Sequence, residues 1–282
     1  MKESNLKYRL IKDKLFFLMV VLFAFVLVIP LGLILYYIVK NGIGVINIDF
    51  FTQLPKPMGM IGGGILNGLV GTAILITTAS LMAVPFGISV GIYLAEFKHQ
   101  RFTRYVRFCV EVLQGVPSIV LGIVAYLWLV LPFKSFSAIA GAVALAIMML
   151  PVIIRSTEET MKMVPETLKE ASLSLGVPYS VTVLKVVLPC AFNGILTGVL
   201  ISVARIAGET APLLFTAFGS PFLSFGLNRP IHSLPLLIYR YADSPFPQDN
   251  QFAWGVAVVL CGFVLLLNLI AKGVAKKWKI RY

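Results

Sequence analysis

The sequence predicts an all-α polytopic membrane protein with six transmembrane helices and both termini in the cytoplasm. Composition gives the first indication: 59% of the 282 residues are hydrophobic and only 13% are charged, whereas soluble domains carry about a quarter charged residues. The second is the recurrence of apolar runs long enough to cross a bilayer, which takes about 20 helical residues. Alternating segments of about ten residues, typical of membrane β-barrels, do not occur.

The first apolar run follows a basic tail, as a signal peptide would. It is longer than the apolar core of a signal peptide, and no small-x-small cleavage pattern follows it. We therefore expect an uncleaved first helix, peripheral to the rest. The six predicted spans are Leu15–Ile38, Gly64–Phe97, Tyr105–Leu131, Phe136–Ile154, Ala191–Phe218 and Phe252–Ala271.

The distribution of basic residues predicts the orientation of the chain. Six spans place 18 of the 24 Lys and Arg residues on the side of the termini and five in the opposite loops, with Arg205 inside a span. Such an excess marks the cytoplasmic side. The net charge of +12 thus reflects topology and attraction to the anionic lipid bilayer, and we expect no nucleic-acid partner.

We expect one polytopic domain. Residues 1–62 hold the basic tail, the first helix and an outer loop; residues 63–275 form the core with a cytoplasmic loop at 155–190; residues 276–282 form a second basic tail. The outer loop 219–251 either dips back toward the membrane or forms short outer helices. The three cysteines form no CxxC pair and are interpreted as small apolar residues.

Motifs for catalysis are missing from the sequence. The two histidines, His99 and His232, fall on opposite sides of the predicted membrane, so no metal site is expected. Neither a GxSxG elbow nor a GxxxxGK[ST] phosphate loop occurs. We expect no cofactor in this chain and no enzyme activity, so that uphill transport would draw energy from an ion gradient or another subunit.

The cytoplasmic loop predicts two short helices joined by a glycine bend. The first helix begins near Pro165 and ends at Gly176, which Pro178 follows. The second runs from about Tyr179 to Leu188 and is closed by Pro189. Apolar residues lie on one face of the first helix at helical spacing: Leu168, Ala171 and Leu175. Such a hairpin either lies on the bilayer surface or binds a partner.

Arg205 and Glu209 are charged residues within the fifth predicted span, in the segment SVARIAGETAPLLF. A charge at mid-bilayer costs at least about 2.5–3.5 kcal/mol on insertion scales, so such residues are paired or face a cavity. The i, i+4 spacing places both on one helical face. The pair either locks helix packing, or Arg205 offers donors to a crossing anion while Glu209 tunes its release.

Each of two further segments allows two interpretations. Gly115 and Pro117 break a span, either as a packing kink or so that Gln114 and Ser118 line a wet pathway. At the start of the second span, the glycines at 62–64 with Asn67 and Thr72 either permit close helix contact or present helix N–H groups to an anion.

The cytoplasmic loop resembles the EAA loop of ABC-importer permeases. The match consists of Glu170, Ala171, Ser172, Gly176, Val186, Leu188 and Pro189 at the family's spacing. Ser172 replaces the second alanine of the motif and Val186 its isoleucine. The resemblance implies a type I ABC-importer permease fold and a loop that docks on a separate ATPase subunit. Glu170 would pair there with a basic residue, and Gly176 would set the bend.

Within these permeases, the segment ARIAGETAPLLFTA (204–217) is similar to the phosphate-transport permeases of the PstA type. The similarity extends from about Gly63 to Lys272 and includes LQGVPSIVLGI (113–123) and HSLPLLIYRYADSP (232–245). It implies a phosphate path near Arg205 and Glu209. It also implies a bacterial or archaeal cytoplasmic membrane and a set of partners: a second homologous permease, two ATPase subunits that bind ATP and Mg²⁺, and an extracytoplasmic phosphate-binding protein.

Two alternatives stay open at this point. One is a permease for another oxyanion, molybdate or sulfate. The other is a secondary transporter or channel that works without an ATPase, which would leave the EAA spacing unexplained.

Overall fold

The computed structural model describes residues 2–98 and 100–277. Within these ranges the regular structure is helical apart from two isolated β-bridges. The helices are α1 Lys2–Gly42, α2 Ile48–Thr52, α3 Leu66–Glu96, α4 Arg101–Gly115, α5 Ser118–Ala125, α6 Leu131–Phe133, α7 Ala138–Lys162, α8 Glu166–Ser174, α9 Tyr179–Thr182, α10 Leu188–Ala207, α11 Ala211–Thr216, α12 Leu234–Ala242 and α13 Pro247–Lys277. Two π-helical turns, Tyr126–Val130 and Val183–Val187, connect α5 to α6 and α9 to α10.

The helices confirm the predicted fold class. Five are long and apolar enough to cross a membrane, and there are six if the pair formed by Arg101–Gly115 and Ser118–Phe133, bent by 104°, is counted as one span. The break that Gly115 and Pro117 predict within this span is therefore confirmed, and it is a sharp turn between two helices. Val116 is extended (φ −72°, ψ 128°) because the ring of Pro117 disfavours helical backbone in the residue before it, and Pro117 itself has no N–H for the helical ladder.

The fifth span also differs from its prediction. Helix α10 ends at Ala207, Gly208 caps it, and a separate short helix α11 begins at Ala211. Pro212 lies at the start of α11, where its missing N–H costs nothing. Glu209 thus lies in the break between two helices. The fourth and sixth spans run farther than predicted, to Lys162 and Lys277.

Helix α7 is the centre of the molecule, with α3 and α10 packed on it. In its most apolar stretch 67% of the residues are buried. Small residues allow this approach, because a Cβ atom added to any of four glycines would lie within 2.7 Å of an α7 side chain: Gly87, Gly91, Gly194 and Gly198. Such small-residue contacts bring helix backbones close together in membranes.

Helix α1 lies at the periphery. None of its most apolar stretch is buried, and it packs on α13, where Tyr37 meets Trp254 edge to face at 5.4 Å between ring centroids. The predicted boundaries of the core at residues 63 and 275 stay predictions. Of the predicted C-terminal tail, residues 278–282 lie outside the described part of the chain, as does His99.

The long outer loop forms a short helix, one of the two alternatives. Helix α12 packs on α3 and α13. Its first turn is capped twice, because Ser233 Oγ accepts from the Leu236 N–H and Thr72 Oγ1 accepts from the Leu234 N–H at 2.9 Å. His232 is buried beside this turn, and burial lowers its pKa to about 4, so it is uncharged at neutral pH.

Candidate functional site: a charged helix break and a cytoplasmic hairpin

Arg205 and Glu209 flank the break between α10 and α11. Arg205 Nε lies 3.8 Å from Glu209 Oε1, with the Arg205 side chain 50% exposed and that of Glu209 20% exposed. This distance permits an ion pair but exceeds a hydrogen bond. Among the residues that the structure describes, none accepts a hydrogen bond from the guanidinium. The two residues are neighbours, as predicted, but they do not share one continuous helical face.

This geometry leaves most of the donors of Arg205 free. A guanidinium carries five N–H groups in a planar fork that suits oxyanions. A half-exposed arginine facing lipid would be costly, so its open side is suited to water, an anion or a second subunit. The chemistry available at this break is therefore anion binding with an adjustable acidic neighbour.

Gln114 and Ser118 lie at the other helix break, between α4 and α5. Gln114 is exposed and Ser118 is half-buried. Helix α5 packs tightly on α11, since a Cβ atom added to Gly122 would lie 2.6 Å from Cα of Pro212. The contact between α5 and α11 thereby places the two breaks in neighbouring parts of the fold.

Asn67 forms its hydrogen bonds within the outer part of the fold. It is buried, its Nδ2 donates to the Ser220 carbonyl at 2.8 Å, and its Oδ1 accepts from the Gly68 N–H at 2.8 Å. These bonds give Asn67 a structural role, and its contact with substrate stays a prediction. One of the N–H groups at this helix start is occupied, because the Leu66 N–H donates to the Gln53 carbonyl. A Cβ atom added to Gly64 would lie 2.4 Å from the Gln53 carbonyl oxygen, so this glycine permits close contact with the preceding segment, and both interpretations of the helix start stay predictions.

The cytoplasmic hairpin, which we define as residues Glu166–Thr182, has the predicted helix–glycine–helix form. Helix α8 ends before Gly176, whose φ of +75° belongs to the left-handed region that glycine adopts without steric cost. Two boundaries of the prediction are wrong. Helix α7 continues to Lys162, which shortens the loop, and Pro189 does not close the second helix. Instead α9 continues through the π-turn into α10, where Pro189 occupies the first turn.

One surface of the hairpin is exposed and partly apolar. Glu170, Ala171 and Gly176 are exposed, and Leu175 is 83% exposed; Met163, three residues before the hairpin, is 80% exposed. These residues are therefore available for contact with a partner. Leu188 and Pro189 lie apart from this surface, at the start of α10.

Acidic residues that the sequence prediction missed hold the cytoplasmic ends of the helices together. Glu96 accepts hydrogen bonds from Lys169 and Tyr179 of the hairpin. Glu158 of α7 accepts from Arg107 at 2.6 Å and from Lys162 at 2.5 Å. The available signal was weak: these are isolated acidic residues beside a markedly basic set of inner loops.

The described residues contain no group of three or more His, Cys, Asp or Glu side chains that could hold a metal ion. They therefore give no basis for placing a metal centre in this chain.

Comparison with known proteins places these features in a family. Residues 87–280 match the family model described as binding-protein-dependent transport system inner membrane component. The phosphate transport system permease protein PstA of Pasteurella multocida (strain Pm70) is 40% identical over 273 residues, covering 96% of this chain and 97% of its own. The probable PstA of Methanocaldococcus jannaschii is 37% identical over 254 residues, covering 89% of each chain.

The fold has also been observed in a solved structure. A chain of the methionine ABC transporter MetNI, in an inward-facing conformation, superposes with a TM-score of 0.66 at 21% identity. The superposition covers 77% of this chain and 96% of that one. At this identity the comparison shows the shared fold alone.

Proposed function

The chain belongs to the family of binding-protein-dependent transport system inner membrane components, and on that premise we propose that it is the permease subunit of an ATP-driven importer of inorganic phosphate. The substrate assignment rests on the similarity to the PstA proteins over most of the chain. The structural observation that supports the proposal is the half-exposed guanidinium of Arg205, whose hydrogen-bond donors the described fold leaves unused.

In this proposal Arg205 binds phosphate by charge-assisted hydrogen bonds. Glu209, 3.8 Å away, competes for the guanidinium and so prevents the anion from binding too tightly to leave. Gln114 and Ser118, at the neighbouring break, contribute polar contacts along the same path. Alternating access then requires only that the helices around the two breaks open to one side at a time.

The energy comes from partner subunits. Two ATPase subunits bind ATP and Mg²⁺ and dock on the cytoplasmic hairpin, where Glu170 pairs with a basic residue and Leu175 enters an apolar groove. A second homologous permease completes the pathway, and an extracytoplasmic binding protein delivers phosphate. This chain carries out no catalysis.

The test is ATP-dependent uptake of radiolabelled phosphate by the complete complex in proteoliposomes, with Arg205→Gln compared with the native chain. We expect the variant to assemble and hydrolyse ATP but to lose uptake by about tenfold to a hundredfold, since a hydrogen bond to a charged group contributes roughly 1.5–3 kcal/mol. Arg101→Gln is the matched control, because Arg101 is exposed at the start of α4, away from the break, and should leave uptake unchanged.

Three results would change the proposal. Unaltered uptake by Arg205→Gln would make the Arg205–Glu209 pair a packing device. Full competition by excess sulfate or molybdate would reassign the substrate and keep the importer. Uptake that persists without ATP or the ATPase would indicate a secondary transporter or channel.

A further inference from the structure

Glu96, the last residue of α3, joins three elements through one side chain. Its Oε1 accepts from Lys169 Nζ of α8 at 2.6 Å, and its Oε2 accepts from the Tyr179 hydroxyl at the start of α9. The Glu96 side chain is only 3% exposed. Both oxygens of a buried carboxylate are thus occupied by donors from the two arms of the cytoplasmic hairpin.

The environment makes this contact specific. Removing a carboxylate from water costs several kcal/mol, so a buried one is stable only while its partners stay in place. An apolar cluster also attaches the hairpin to the core: Leu168 of the hairpin packs against buried residues that include Ala95, Met161, Val164, Val183 and Val187. Apolar attraction is non-directional and tolerates sliding, whereas the two charged hydrogen bonds fix the position of the hairpin relative to the end of α3.

The elements on either side of Glu96 are suited to move as rigid bodies. The hairpin arms are connected by the buried contact between Ser172 Oγ and Thr182 Oγ1 at 2.9 Å. Helix α3 packs closely along α7 at Gly87 and Gly91. A displacement of the hairpin that preserves the bonds of Glu96 must therefore displace the end of α3.

We propose that Glu96 is a positioning residue that transmits motion of the ATPase-docked hairpin to α3, and that its charge sets how much phosphate moves for each ATP hydrolysed. The inference rests on the proposed function and extends it, because Glu96 belongs to α3 and its side chain is buried, whereas the proposed docking residues, Glu170 and Leu175, are exposed residues of the hairpin.

The test measures phosphate transported per ATP hydrolysed by the complete complex in proteoliposomes. Glu96→Gln keeps the shape of the side chain and removes its charge. We expect the complex to assemble and hydrolyse ATP while the transport ratio falls about tenfold, within the range found for residues that couple two sites. Tyr179→Phe removes one hydroxyl from a partly exposed residue, cannot unfold the chain, and should lower the ratio about threefold.

The matched control is Glu166→Gln. Glu166 also pairs the hairpin with the turn after α3, through Lys98 at 3.3 Å, but this pair is exposed, and exposed pairs contribute little. We expect its ratio to stay within about twofold of the native value. A double variant, Glu96→Gln with Lys169→Met, should be no worse than Glu96→Gln alone, because the residues act as one unit.

An unchanged ratio in both Glu96→Gln and Tyr179→Phe overturns the proposal. The proposal is also overturned if Glu96→Gln impairs only assembly while Tyr179→Phe retains the native ratio. An additive loss of the transport ratio in the double variant would overturn it as well. Failure of the proposed function is distinguishable, since the native complex would then move no phosphate, whatever residue stands at position 96.

Discussion

Ser172 shows how a single position in the hairpin depends on a partner from the next helix. It occupies the place where the resembled motif has a second alanine, and it is buried with its hydroxyl 2.9 Å from Thr182 Oγ1. A buried hydroxyl without a partner costs roughly 1–3 kcal/mol. The serine is therefore explained by Thr182, a residue ten positions away.

Ser172→Ala should loosen the hairpin, because it leaves the Thr182 hydroxyl buried and without this partner. We expect hydrogen exchange of the α8 and α9 amides to accelerate about fivefold or more, corresponding to at least about 1 kcal/mol of lost local stability. Mass-spectrometric hydrogen exchange on the purified permease measures this change directly.

Two companion variants make the Ser172 result interpretable. Ser174→Ala removes a hydroxyl that donates to the Glu170 carbonyl at an exposed position and should have little effect. Adding Thr182→Val to Ser172→Ala replaces both polar partners by apolar groups and should restore most of the protection. Equal acceleration in Ser172→Ala and Ser174→Ala would contradict the assigned role of the buried contact.

At the scale of elements, α7 fixes the positions of the helices that carry the candidate pathway. Helix α10, which ends two residues beyond Arg205, approaches α7 at Gly194 and Gly198. The contact at Gly198 is the tighter one, since an added Cβ atom would lie 2.1 Å from Ser156 Oγ and 2.2 Å from Ser156 Cβ. No side-chain rotation of Ser156 moves its own Cβ, so the helices would have to separate.

Gly198→Ala should therefore destabilise the permease, by about 1–3 kcal/mol as for other overpacked cores. Unfolding in detergent by titration with sodium dodecyl sulfate, followed by circular dichroism, measures the effect. Gly32→Ala is the control, because Gly32 is also helical but has no neighbouring atom within 4 Å of an added Cβ. A similar shift of the unfolding midpoint in both variants would show that helix propensity, and not the contact with α7, decides the result.

At the scale of the whole molecule, the asymmetry of Lys and Arg residues sets the orientation in the membrane. The hairpin belongs to the basic side and the loop after α11 to the other. Both offer exposed apolar residues for labelling, with Leu175 at 83% and Phe222 at 75% exposure. The positive side is retained in the cytoplasm.

Single cysteines at these positions should report opposite accessibility. In a background without Cys109, Cys190 and Cys261, a membrane-impermeant maleimide should label Phe222→Cys in right-side-out vesicles. Leu175→Cys should react only in inside-out vesicles. The reverse pattern would invert the topology and remove the hairpin from the ATPase side.

Adding the ATPase partner refines the labelling experiment. It should protect Leu175→Cys and leave Phe222→Cys reactive, because only the hairpin is proposed to dock. Continued labelling of Leu175→Cys in an assembled complex would place the contact elsewhere.

The sequence by itself determined the fold class and the bend at Gly176, and it predicts the orientation. These features depend on local or additive properties: apolar length, the sum of charges in each loop, and the backbone freedom of one glycine. The motif containing Glu170 and the pair Arg205–Glu209 were visible for the same reason, since both are defined by spacing along the chain.

Only the tertiary structure decided how sharply the chain turns at its helix breaks and which polar groups already have hydrogen-bond partners. Pro117 and Gly208 could each have produced a kink within a continuous helix. In the structure each lies at a break between two helices, and the helices that follow these breaks, α5 and α11, pack on each other. Asn67 became structural because Ser220 lies beside it, 153 positions away in sequence. Glu96 likewise takes its position in the fold from Lys169 and Tyr179, which are distant from it in sequence. Such contacts join distant parts of the chain, and periodicity and composition carry no information about them.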